Sequence, residues 1–241
     1  MALPGWQALH AEIEPLGATV VTVALDIFPE HTYPWIDAAS PTHPSLIDTR
    51  NITGQLFGFQ NIPMAVWIDE NGMLVRPAEQ ASIERPASRD REIPADLPQR
   101  IQDMFREVKT IPDHSTEYRA ALLDWVHNGS ASRFALSPDE VVARSQPSGD
   151  DHARAAACFA LGQHLLLTVG HDAAVPWWRE AHRLFPDNWT YKRQAWTLVT
   201  TPEGATENDL MQGPNAVYDG NWLNDVVAGG GGAKYYVEPH L

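Results

Sequence analysis

Cysteine chemistry is restricted in this chain, because its 241 residues contain a single cysteine, Cys158. One thiol excludes an internal disulfide, a cysteine-based zinc cluster and a Cys-x-x-Cys redox pair within these residues. Cys158 lies in an alanine-rich stretch with a helical pattern, where a thiol packs as a small apolar side chain. A nucleophilic thiol instead needs a base or a helix N-terminus beside it. The sequence therefore predicts a packing role for Cys158 and indicates no catalytic residue.

The ten histidines are scattered along the chain and predict no metal site. None forms the four-residue-spaced pair of a helical zinc site, and there is no His-Glu-x-x-His motif. We accordingly expect neither a metal nor a cofactor. Asp26 follows an apolar run, where it could accept a proton near a reactive group or cap the end of a strand. The residues alone leave both roles open.

The acidic composition excludes one class of partner. The chain has 17 Lys and Arg against 31 Asp and Glu, a formal net charge of -14. Nucleic-acid phosphates need basic side chains opposite them, so we expect no nucleic-acid partner. No apolar run is long enough to cross a bilayer, and we expect no membrane association. The first residues lack the basic start of a signal peptide, which favours a cytoplasmic location.

The elements that must position any site begin with an α/β region over residues 1–80. Ala18–Leu25 is a short, apolar, β-branched run, which is typical of a strand covered on both faces. Met64–Asp69 and Met73–Arg76 are two further β-runs, and the Asn71-Gly72 pair between them predicts a hairpin turn. Helical spacing occurs before and between these runs. We therefore predict an α/β layer with a mixed sheet.

Helical patterns dominate the middle of the chain. Pro77–Pro98 carries prolines and charges without a steady period, which predicts an irregular linker. Ser137 and Glu140 have the spacing of a capping box, so a helix should begin between them. Asp151–Val169 is the longest helical pattern. Thr200–Leu241 loses this periodicity and predicts an irregular tail held by aromatic anchors.

One part of this helical region has the spacing of a known repeat. The residues concerned are Leu161, Gly162, Ala174, Trp178, Ala181 and Pro186. They resemble a tetratricopeptide repeat, in which two antiparallel helices approach closely at small residues and an aromatic side chain fills the space between them. A single repeat cannot bury its own face, so neighbouring helices must pack on it. An unrelated helical bundle is the alternative.

Four stretches of residues 1–80 carry a second resemblance. They are Trp6–His10, Val20–Asp26, Phe57–Pro63 and Val66–Gly72. These stretches resemble thioredoxin-like redoxins of the TlpA/ResA type. The resemblance implies that Pro63 is the cis-proline that precedes a strand in that family, with an ordinary loop proline as the alternative. Ile62 and Pro63 are then the implied substrate-binding residues, with the backbone N–H and C=O of Ile62 facing an extended substrate.

The chain departs from this family at its start. The family begins with a strand and a Trp-Cys-x-x-Cys motif at the N-terminus of its first helix, where the helix dipole and free amides lower a thiol pKa. Strand and motif are both absent here, which leaves an unpaired edge or an empty central slot in the sheet. The sequence also resembles actinobacterial relatives with a Trp-Ala-x-x-Sec-Gly-x-x-Cys motif, in which UGA encodes selenocysteine. We expect this chain to be the remainder of a longer selenoprotein-like redox protein.

The sequence as a whole therefore predicts an incomplete thioredoxin-like α/β domain over residues 1–85. A linker with a helix follows over 86–115, then a tetratricopeptide-like helical domain over 116–200 and an irregular tail over 201–241. The implied activity is that of a thiol or selenol oxidoreductase or peroxidase, with a protein disulfide or a thiol reductant as partner. The chain alone should be inactive. The alternative is a non-enzymatic module whose helices bind a partner peptide, and fold alone does not decide between the two.

Overall fold

The chain divides into two compact units, each built from separate segments. The computed structural model describes residues 3–145, 149–198 and 214–241. Unit 1 consists of Met1–Arg85, Asp113–Pro147 and Glu238–Leu241, and unit 2 of Pro86–Pro112 and Ser148–Val237.

Unit 1 contains every strand of the described residues and is a mixed α/β unit. The strands are β1 (Thr22–Leu25), β2 (Ser45–Asp48), β3 (Met64–Ile68) and β4 (Leu74–Gln80). Unit 2 is helical. The helices of both units are α1 (Leu3–Ile13), α2 (Tyr33–Ala39), α3 (Ile52–Phe57), α4 (Gln99–Thr110), α5 (Ser115–Asn128), α6 (Pro138–Arg144), α7 (Asp150–Thr168), α8 (His171–Leu184), α9 (Trp189–Leu198) and α10 (Trp222–Ala228).

The strands form two separate two-stranded sheets. β1 runs parallel to β2, with Thr22 opposite Ser45. β3 runs antiparallel to β4, with Met64 opposite Gln80. The predicted single mixed sheet is therefore wrong for the described residues, because neither hydrogen bonds nor an intervening strand join β1 to β3.

β4 continues through Pro77, where the sequence predicted an irregular linker. Proline cannot donate to a ladder and is tolerated within a sheet at an edge or a bulge. Between the pairs Ala65–Glu79 and Trp67–Arg76, β4 has one more residue than β3. This extra residue makes a bulge, and Pro77 lies within it.

The hydrophobic core of unit 1 joins α1, β3 and α5. Leu9, Trp67 and Tyr118 are almost fully buried in it, and the Trp67 indole N–H donates to the Tyr118 hydroxyl at 2.8 Å. Because α5 packs in this core, residues 113–147 belong with the α/β region. The structural division thus differs from the sequence-based boundaries, which placed 116–147 with the later helices and 86–112 in a linker.

In unit 2, α7 and α8 approach each other as the sequence predicted. A Cβ added at Gly162 would lie 2.4 Å from Nε1 of Trp178, so the glycine lets the indole contact the α7 backbone. Ala174, Trp178 and Ala181 are each 0% exposed. The packing at these positions is confirmed, and the assignment to the tetratricopeptide class stays a prediction.

The predicted irregular tail contains a helix, α10, that packs in a second hydrophobic core. Trp222 and Tyr235 are buried there with Ile111 and Trp196. The expected aromatic anchors are thus present, but irregular structure is the wrong prediction for Trp222–Ala228. The part of the prediction that covers 201–213 lies outside the described residues. Across the ranges that the structure describes, no helix has both the length and the apolar character needed to cross a bilayer.

Candidate functional site

The predicted substrate loop leads into β3. Gly58 ends α3 with a φ of 76°, and its N–H bonds the Gly54 carbonyl. The Ile62–Pro63 peptide bond that follows is cis, as the resemblance predicted. The Pro63 carbonyl accepts a hydrogen bond at 3.2 Å from the N–H of Ala81, just after β4. The loop is therefore held at both of its ends.

Ile62 lies at the surface of this loop with 42% of its area exposed. Its backbone N–H donates at 2.9 Å to Oδ1 of Asn61, a residue that is only 4% exposed. A substrate contact at this N–H must consequently replace the Asn61 side chain. Sequence reasoning missed Asn61, although an asparagine side chain that bonds to neighbouring backbone is common in turns.

β1 is an apolar strand that unit 1 covers incompletely. All four of its residues are half-buried, and the preceding Val21 is 51% exposed. A parallel strand directs alternate N–H and C=O groups to its two sides. Within the described ranges β1 is paired with β2 alone, and β3 with β4 alone. Such free edges can take an extended peptide backbone.

Asp26 caps the turn that follows β1. Its Oδ1 accepts a hydrogen bond from the Phe28 N–H at 2.9 Å, and its Oδ2 lies 3.5 Å from Nδ1 of His31. Of the two roles that the sequence left open, this geometry supports capping.

Cys158 lies in the middle of α7 and is half-buried. A mid-helix position offers a thiol neither free amide groups nor the helix dipole. No group of three or more His, Cys, Asp or Glu side chains in the described part of the chain is arranged to hold a metal ion.

A buried ion pair that the sequence did not predict lies on β4. The Arg76 side chain is 1% exposed and that of Glu79 is 5% exposed. Arg76 donates from Nε to Oε1 of Glu79 at 2.6 Å and from Nη2 to Oε2 at 2.9 Å. The guanidinium also lies 5.0 Å from the centre of the Trp67 ring. In a regular strand, side chains three residues apart face opposite sides, and the bulge at Pro77 places these two on one side.

Unit 2 holds a second buried polar cluster. Burial, together with the positive charges of Lys192 and Arg179, lowers the pKa of His182 to about 3. Neither of its ring nitrogens has a hydrogen-bond partner among the described residues. Lys192 Nζ lies 3.2 Å from Oδ2 of Asp225 and 4.2 Å from the centre of the Trp189 ring. The histidine is therefore neutral near pH 7, and the lysine charge is compensated.

Comparisons with known proteins found no match to this chain among protein-family models, curated proteins or solved structures.

Proposed function

We propose that the chain is the scaffold and substrate-loop part of a thioredoxin-like thiol or selenol oxidoreductase. In this proposal the reactive pair lies outside the 241 residues, after an extended segment that pairs with the free edge of β1. The single observation that carries the proposal is this edge. β1 is apolar and half-buried along its length, and within the described residues it is paired on one side only.

A further strand beside β1 is favoured because a two-stranded sheet is marginally stable by itself in water. A strand at the free edge would pair the outward backbone groups of β1 and would cover apolar surface such as that of Val21, which is 51% exposed.

The connectivity of unit 1 supports the same addition. α2 connects the parallel strands β1 and β2, as parallel pairing requires. α1 leads into β1 in the same way that α2 leads into β2. This alternation fits α1 as the connection between β1 and a further parallel strand.

The chemistry follows from that placement. A cysteine or selenocysteine between the added strand and α1 lies at the N-terminal end of the helix, which favours its anion. The anion attacks one sulfur of a substrate disulfide, forms a mixed disulfide or selenenyl sulfide, and releases the other sulfur as a thiolate. A second cysteine thiolate then attacks the bonded sulfur or selenium of the enzyme and releases the second substrate thiolate. The substrate gains two electrons, and an external thiol reduces the enzyme pair again.

Ile62 and Pro63 are the proposed substrate-binding residues of this reaction. Ile62 is exposed, and its N–H is held by an uncharged side chain, that of Asn61. In the proposal, a backbone carbonyl of an extended substrate takes the place of the Asn61 amide oxygen as the acceptor of this N–H.

The DNA upstream of Met1 provides the first test. We expect an in-frame extension that encodes an apolar strand, then a cysteine or UGA codon, and a second cysteine codon about three or four positions further on. The extended protein, with cysteine at any UGA position, should reduce a disulfide with a thiol as electron donor. The matched control carries serine at both positions and should be inactive.

Two results would contradict this proposal. One is an upstream region with no coding signal for such a segment. The other is an extended, folded protein without turnover. Either result would favour the alternative of a peptide-binding helical module.

A further inference from the structure

The buried side chains of Arg76 and Glu79 bond to each other and also to the backbone of His240. Nη2 of Arg76 donates to the His240 carbonyl at 2.7 Å. The His240 N–H donates to Oε2 of Glu79 at 3.4 Å. The pair therefore contacts both polar backbone groups of a single residue. On its other side, Nη1 of Arg76 donates to the Phe134 carbonyl at 3.1 Å, which holds the guanidinium in place.

The contacted segment is recognised through its backbone. The position of His240 is exposed, and these contacts involve its main-chain atoms alone. Pro239 has no N–H to offer, and the N–H of Leu241 is bonded to the Pro239 carbonyl at 3.1 Å. Leu241 is 40% exposed, so more than half of its surface is covered. The segment thus presents the N–H and the C=O of His240 to the ion pair, and the partly covered apolar side chain of Leu241 follows them.

The last four residues are set apart from the residues that precede them. Glu238–Leu241 belongs to unit 1, whereas the chain up to Val237 belongs to unit 2, and Val237 is 62% exposed. The contacts of these four residues with the rest of unit 1 are therefore non-covalent.

We propose that Arg76 and Glu79 form a peptide-binding site on unit 1, and that residues 238–241 are its ligand, docked in cis and separable from it. A buried ion pair needs partners for its remaining donors and acceptors, and hydrogen bonds from charged groups are stronger than neutral ones. The His240 backbone supplies one partner to each member of the pair. The covalent connection raises the effective concentration of this ligand at the site.

A truncated chain tests the proposal directly. A chain of residues 1–237 should fold and should bind a fluorescein-labelled peptide of residues 236–241, measured by fluorescence anisotropy. The 241-residue chain should bind the same peptide at least about tenfold more weakly, because its own tail competes for the site.

Two peptide variants separate backbone recognition from side-chain recognition. His240→Ala keeps the N–H and should bind as the unchanged peptide does. His240→Pro removes the N–H that faces Glu79 and should bind about tenfold or more weakly. Comparable binding of these two variants, or comparable binding by the full and truncated chains, would overturn the proposal.

The remaining outcomes are equally decisive. A folded truncated chain without saturable binding would show that the site does not take a separate peptide. A truncated chain that fails to fold by circular dichroism would show that residues 238–241 are part of the core rather than a docked ligand. The outcome is independent of the proposed redox function, in which none of these residues takes part.

Discussion

Replacement of Glu79 by leucine would leave the Arg76 guanidinium buried without its counter-charge. The Arg76 side chain is 1% exposed, and the acceptors that remain are the carbonyl oxygens of Phe134 and His240. Removal of one partner of a buried ion pair costs about 3–5 kcal/mol. Domains of this size are typically stable by about 5–15 kcal/mol. We therefore expect Glu79→Leu to lower the free energy of unfolding of unit 1 by a large part of its total.

The double variant Arg76→Met/Glu79→Leu should recover most of this loss. Replacement of a whole buried pair by apolar residues of similar volume is often neutral or stabilising by about 1–4 kcal/mol. Arg76 lies over the ring of Trp67, where a methionine sulfur makes a favourable contact with an aromatic ring.

Urea unfolding, followed through the indole NMR signal of Trp67, measures these effects in unit 1 itself. The matched control is Glu12→Gln, which breaks an exposed ion pair with Arg119 in the same unit. Exposed pairs contribute about 0.2–1 kcal/mol, so this control should change little. A Glu79→Leu variant as stable as the control, or a double variant as unstable as Glu79→Leu, would show that the buried charge of Arg76 does not need its partner.

Three further outcomes are expected. Gly162→Ala should destabilise unit 2 by about 1–3 kcal/mol in thermal unfolding, because its Cβ would lie 2.4 Å from Nε1 of Trp178. Folding lowers the pKa of His182 from 6.5 to about 3. Unit 2 is therefore most stable above pH 6.5, where this histidine is neutral in both states. Its stability falls as the pH drops towards the folded-state pKa, because the unfolded chain then binds a proton that the folded chain does not. Unit 2 should then lose about 2 kcal/mol between about pH 7 and pH 5 in urea unfolding, and His182→Gln should lose less. The 241-residue chain should show no disulfide-reductase or thiol-peroxidase turnover. Cys158 should react slowly with a thiol reagent until the chain is unfolded. Rapid labelling of the native chain would contradict the packing role of Cys158.

Short stretches of sequence predicted the parts of the fold that adjacent residues determine. The Asn71-Gly72 turn is present, with a φ of 78° at Gly72. Ser137 and Glu140 form the expected capping box at the start of α6. The hairpin of α7 and α8 has its close approach at Gly162. Each of these depends on backbone conformation or on spacing within one or two elements.

The candidate site was predictable only in part. The sequence placed Ile62 and Pro63 before a strand, and β3 begins at the next residue. It did not show that Asn61 holds the Ile62 N–H, because a polar side chain in a loop has several possible partners of similar strength. It also did not predict β2, since a four-residue strand shows too little alternation to be recognised.

By itself, the sequence determined the single thiol, the acidic charge and the Asn71-Gly72 turn. Only the tertiary structure decided that α5 completes the core of unit 1 and that Arg76 and Glu79 share one side of β4. A bulge shifts the side-chain alternation by one residue, and local periodicity does not reveal such a shift. Only the tertiary structure, likewise, brought the His240 backbone to this pair. Sequence periodicity indicates which face of an element is apolar, and the distant segment that covers this face is selected by packing of the whole unit.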